Sequence, residues 1–211
     1  MSQENLSQTA YRRIKQDILE GLIPPDTILS ERELAHRLGI SRTPLRSAMS
    51  RLENEGVIAR LANGALTVRQ VTIEQLLEIV QLRQVLESAS AARAAEHGIT
   101  PELEFLRREM LRYIEGQPVG FDEFWQIDER FHLAVAQAAR LKLLPGILAE
   151  QRAIARRCTI TRIHDRFDDQ AREHVAVIDA IAGKDPAAAR AAMSLHFEKV
   201  RRRFLDWFSR G

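Results

Sequence analysis

A mainly α protein in two parts, a small helical domain closed by a β-hairpin and a longer antiparallel bundle of helices, is predicted by three observations. Residues 1–70 carry short helical patterns punctuated by glycines and capping residues. Two short apolar runs there flank Asn63-Gly64, a strong signal for a hairpin turn. From about residue 72 the chain reads as long helices with almost no strand signal. The change of texture sets the expected domains at 1–70 and 71–211.

In the first part, Ala10, Ile14, Ile18 and Leu19 mark one face of a helix that Gly21 ends, and Pro24-Pro25-Asp26 forces an extended connection. Ser30-Glu31-Arg32-Glu33 has capping-box spacing and opens a helix over Glu31–Leu38. Gly39 ends that helix, Ser41 caps the next, and Pro44 sits in a first turn where a missing N–H costs nothing. Leu45, Ala48, Met49 and Leu52 face inward along this third helix, which stops near Glu55-Gly56. Helix, glycine turn, helix and hairpin together make a winged helix-turn-helix. In the second part, helices are expected at about Ile73–Glu96, Pro101–Glu115, Phe121–Ala139, Leu143–Ile163, Asp168–Ala182 and Pro186–Phe208, an all-α antiparallel bundle large enough to enclose a site.

Composition is that of an ordinary globular chain, with 45% hydrophobic and 28% charged residues. The net charge of +2 excludes bulk attraction to nucleic acid, so any such role needs a local basic surface. Residues 1–70 hold 10 Lys and Arg against 8 Asp and Glu, and the remainder holds 21 against 21, which places the excess in the first part. The single Cys158 has no partner for an intramolecular disulfide and reads as a buried thiol. No signal-peptide pattern opens the chain and no apolar run approaches the roughly 20 residues of a membrane span, so a cytoplasmic protein without a membrane partner is expected.

A helix lying in a major groove reads bases from its first turns, here Ser41, Arg42, Thr43 and Arg46. Arginine offers two donors to a guanine edge, and hydroxyls suit phosphates. Arg32 opens the preceding helix, Asn63 and Gly64 form the wing tip, and His36 and Arg37 are assigned to solvent. The run from Gly21-Leu22-Ile23-Pro24-Pro25 through Leu29-Ser30-Glu31-Arg32-Glu33-Leu34-Ala35, Leu38-Gly39-Ile40-Ser41-Arg42-Thr43-Pro44-Leu45-Arg46 and Leu52-Glu53-Asn54-Glu55-Gly56-Val57 closely resembles the winged-helix domain of GntR-type regulators. That resemblance implies operator contacts from Arg32, Arg42 and Arg46. Two positions depart from the family: Asp26 stands where glycine is usual, and the wing is shorter and less basic.

Asp128 and His132, at i and i+4, share a helix face with Phe124, Phe131 and Val135, and a carboxylate in an apolar stripe is expensive without a cation. His174 aligns with Val177, Ile178 and Ile181, and His196 with Met193 and Val200. Taken singly, a core histidine is more often satisfied by a carbonyl. Together, three imidazoles and a carboxylate form a set for a transition ion, zinc first, with nickel, manganese or iron as alternatives. The pattern Phe124-x-x-x-Asp128-x-x-x-His132, His174, His196 is similar to the metal-binding effector domain of FadR-type members, whereas His97 and His164 match no ligand position.

Four ligands around an ion that prefers five or six leave room for a small organic carboxylate. Arg83 interrupts the apolar stripe Leu76, Ile79, Val80, Leu86 and could bind that effector, or could pair with Glu87 on its own helix. The resemblance favours the effector role. The expected function is a DNA-binding transcriptional repressor, a homodimer on a near-palindromic operator, controlled by the carboxylate at the ion. An enzyme is not expected, since no obvious general base accompanies the ligands. A regulator that senses the ion itself, or a metal-dependent enzyme with an appended DNA-binding domain, are the alternatives.

Overall fold

Contacts in the computed structural model, which describes residues 3–157 and 167–209, divide the chain into two compact units. One holds the residues up to Thr72, and the other holds Ile73–Ala155 and the last two helices. The described residues form nine helices and a three-stranded sheet, so the chain is mainly α.

The first unit runs α1 (Gln3–Leu19), β1 (Ile28–Leu29), α2 (Glu31–Leu38), α3 (Arg42–Asn54), β2 (Ile58–Arg60) and β3 (Leu66–Val68). Its core joins Ile14 and Ile18 of α1 to Leu45, Ala48, Met49 and Leu52 of α3 and to Ile58 and Val68 of the hairpin. The Ser30 side chain accepts from the Glu33 N–H, capping α2, and Gly39 closes that helix at φ +64° in the left-handed region. Ser41 holds the extended N-cap conformation of α3 but makes no side-chain capping bond, which departs from the expected cap.

One strand was not foreseen. The connection after Pro24-Pro25 becomes β1, antiparallel to β3 in a sheet of order β1-β3-β2, with Ile28 opposite Thr67 and Leu29 opposite Leu66. Asp26 makes this possible at φ +63°, its N–H donating to the Val68 carbonyl. Aspartate tolerates the left-handed region better than most side chains, which is why it can stand in a position that favours glycine.

The second unit consists of α4 (Ile73–His97), α5 (Pro101–Ile114), α6 (Phe121–Ala138), α7 (Leu144–Arg156), α8 (Phe167–Ala182) and α9 (Pro186–Phe208). The long α4 packs along α9 and against α6 and α8, and α5 covers α8 and α6. Fully buried Leu103, Leu106, Met110, Phe131, Val135, Val177, Ile178, Ile181, Met193 and Phe197 fill the interior. Burial on this scale stabilises by about 25 cal/mol per Å² of apolar surface, which is what the polar groups of the core must be set against. No described helix is long and apolar enough to cross a membrane. The expected run of α7 to Ile163, the thiol of Cys158 and the break at His164 lie outside the described residues.

Candidate functional site

On the first unit, Pro44 and Leu45 are buried in the base of α3 while Ser41, Arg42, Thr43 and Arg46 are exposed on its opposite side. Arg32 is exposed at the start of α2. Arg46 Nε donates to Glu31 Oε2 at 2.9 Å, so the α2 carboxylate orients a guanidinium that remains exposed. At the wing, Asn63 Oδ1 accepts from the Ala65 N–H and Gly64 stands at φ +83°; both shape the turn. Arg60 is exposed and donates to Glu53 and to the Gly64 carbonyl. His36 is exposed, but Arg37 is not merely solvated: its Nη2 donates to the buried Asp17 at 2.8 Å, tying α2 to α1.

In the second unit, three helices turn the expected ligands to one place. α6 buries Asp128 and His132, α8 buries His174 and α9 buries His196. Ligand atoms of the three histidines all lie within 4.8 Å of one another. Asp128 Oδ1 is 3.8 Å from His132 Nε2 and 3.4 Å from His174 Nε2. Bonds from zinc to nitrogen or oxygen are about 2.0–2.2 Å, which sets two ligands of one ion roughly 3–3.5 Å apart, so the cluster is close to a coordination shell in size.

The hydrogen bonding points the same way. Neither ring nitrogen of His174 has a hydrogen-bond partner among the described residues, although the side chain is completely buried and stacked on Phe131 with centroids 4.1 Å apart. Such an orphan costs about 1–3 kcal/mol unless something else satisfies it. The Nδ1 atoms of His132 and His196 face Glu87 Oε2 at 2.5 Å and Glu173 Oε2 at 2.8 Å. A carboxylate acceptor places the proton on Nδ1 and leaves the Nε2 lone pair for an ion, the usual outer support of a metal-bound histidine.

Charge is arranged to keep these groups in ligand form. Burial, and then the neighbouring Arg83, hold His132 well below the ordinary imidazole range. Burial, and then the charge of His196, lower His174 to about 3. Burial pushes Asp128 up, but Arg152 more than reverses this and the carboxyl stays well below its usual range. Glu173 is likewise raised by burial and brought down to about 2 by hydrogen bonds from His196 and Arg203.

Several members of this shell were missed by the sequence reading. Arg152 of α7 is 2% exposed, donates from Nη2 to Asp128 Oδ2 at 2.5 Å and lies 4.9 Å over the Trp125 ring. Its signal, a charge in an apolar stripe like that of Asp128, was available in the sequence.

 Leu148, Arg152 and Ala155 are all buried along α7. Glu87 stands four residues after Arg83 on α4, and Glu173 directly precedes His174. Both carboxylates serve the histidines from behind, at their Nδ1 atoms. Gln170 Nε2 also donates to Asp128 Oδ1 at 2.8 Å. Arg83 does pair with Glu87, Nε to Oε1 at 2.8 Å, under the ring of Phe197, yet its Nη2 is buried without a hydrogen-bond partner among the described residues.

Two family models match the chain: the FCD domain over residues 78–199 and the bacterial regulatory proteins of the gntR family over residues 6–68. The chain is similar to the HTH-type transcriptional repressor RspR of Escherichia coli K12, 27% identical over 219 residues that cover 97% of this chain and 94% of the relative. It is also similar to the Nta operon transcriptional regulator of Aminobacter aminovorans, 29% identical over 182 residues, covering 83% and 85%. Among solved structures, E. coli McbR/YncC shares the fold with a TM-score of 0.75 at 21% identity, covering 99% of each chain. RspR and the Nta operon protein are both named as regulators of transcription.

Proposed function

The chain belongs to the gntR family of transcription regulators that carry an FCD domain, and from that membership we propose that it represses transcription as a twofold dimer on a near-palindromic operator, with a small carboxylate seated at a transition ion setting its affinity. Residues 1–70 are the DNA-binding domain in this reading, and 71–211 bind effector and partner subunit. Arg32, Arg42 and Arg46 meet base edges or phosphates, Ser41 and Thr43 meet phosphates, and Asn63 and Gly64 present the wing.

Asp128, His132, His174 and His196 hold the ion. A set of three imidazoles and one carboxylate suits zinc, and nickel, manganese or iron are the alternatives. When bound, the ion supplies a Lewis-acidic face for a carboxylate oxygen. The observation that carries the reading is His174, fully buried, neutral and without a hydrogen-bond partner for either ring nitrogen among the described residues, inside a cluster of ligand size. A guest alters operator affinity only through a difference in its affinity for two states of the protein. The helix α4 follows the wing strand in the chain and carries Arg83 and Glu87, so it is the element through which such a difference passes.

Operator binding followed by fluorescence anisotropy, with zinc-loaded and chelated protein and a panel of organic acids, tests this. The expected result is a change of about tenfold or more with an acid, seen only in the zinc-loaded protein. A change produced by zinc alone assigns the ion as the signal, and indifference to every acid contradicts the effector.

A further inference from the structure

Burying charge is tolerable when it is balanced, and the core around the histidines is balanced before any ion enters. Two buried guanidiniums, Arg83 and Arg152, face two buried carboxylates, Glu87 and Asp128, in direct pairs. The third buried carboxylate, Glu173, is matched by Arg203 with contacts of 2.8 and 3.0 Å. Histidines that ligate an ion do so as neutral imidazoles and add no charge of their own. A divalent ion added to this core leaves two positive charges uncompensated among buried side chains.

Resting on the ion-and-carboxylate reading above, we infer that the effector is a dianion, a dicarboxylate, and that Arg152 together with Arg83 receives the carboxylate that does not touch the ion. A guest with one negative charge leaves a buried positive charge behind, and one with two restores neutrality. The two arginines are built for the second group. Arg83 Nη2 and Arg152 Nε are buried, each without a hydrogen-bond partner among the described residues, so both have a donor to give. Each guanidinium is pinned by an aromatic ring, Arg83 at 5.0 Å from the Phe197 centroid and Arg152 at 4.9 Å from that of Trp125. Each also touches the ligand shell: Arg152 holds Asp128, and Arg83 holds the Glu87 that supports His132. Two fixed forks beside one ion recognise two carboxylates better than one.

Isothermal titration of zinc-loaded full-length protein with butyrate, succinate and malate tests the inference, with zinc content checked by elemental analysis. Succinate or malate is expected to bind at least about tenfold more tightly than butyrate, which matches succinate in length but carries one charge. Arg152→Gln is expected to collapse that ratio while zinc is retained, and Arg152→Lys, which keeps the charge without the fork, to leave part of it. Chelated protein is expected to lose the dicarboxylate. Equal binding of butyrate and succinate by the wild-type protein overturns the inference without need of a variant, as does a preference that survives in Arg152→Gln. Retained zinc with no binding of any acid overturns the effector reading itself.

Discussion

His174 shows how a single side chain carries most of the chemical argument. Its ring is completely buried, stacks on Phe131 and offers two nitrogens that find no hydrogen-bond partner among the described residues. An apolar side chain of similar reach would pack there without the desolvation penalty of about 1–3 kcal/mol. His174→Leu is therefore expected to match or exceed the wild type in thermal stability without metal, and to lose the rise in Tm that zinc gives the wild type. An unchanged zinc-induced rise in the variant contradicts the assignment. At this scale the four candidate ligands could be picked out in the sequence because each is a polar residue at a core position of a periodic helix. Arg152, Glu87 and Glu173 were harder to read. Their partners lie 24, 45 and 23 residues away, in Asp128, His132 and His196, and helical spacing gives no information on which faces of different helices meet.

The elements of the first unit depend on their ends. α2 is only eight residues long, too short to persist on propensity alone, and it is fixed by Ser30 at one end and by Gly39 at the other. No atom lies within 4 Å of a Cβ built on Gly39, so the cost of a side chain there is that of the left-handed backbone alone. Gly39→Ala is expected to destabilise by about 1 kcal/mol, read as a lower denaturation midpoint. No loss would mean that the turn between α2 and α3 relaxes freely and does not fix the angle at which Arg42 and Arg46 are presented. Helix positions were legible because the apolar period and the caps agree. The strand β1 was not, since two residues carry no period and its pairing depends on β3, nearly forty residues further on. The hydroxyl of Ser41 was expected to cap α3 and makes no such bond, because the backbone adopts the cap conformation without it.

For the whole molecule, a net charge of +2 means that specificity has to come from a few placed groups rather than from a general field. Each compact unit supplies one such set: exposed arginines at the start of α2 and α3, and a buried shell of histidines, carboxylates and guanidiniums enclosed by α4 and α6 to α9. The family joins the two as a regulator of transcription, and control by a carboxylate requires that the second set hold an ion. Elemental analysis and native mass spectrometry of the wild-type protein, beside a variant combining Asp128→Asn with His174→Leu, test that most directly. The account predicts a stoichiometric transition metal, with a small acid retained beside it, in the wild type and neither in the variant. A wild-type protein that holds no transition metal even after equilibration with zinc, or a variant that holds it equally well, would contradict it.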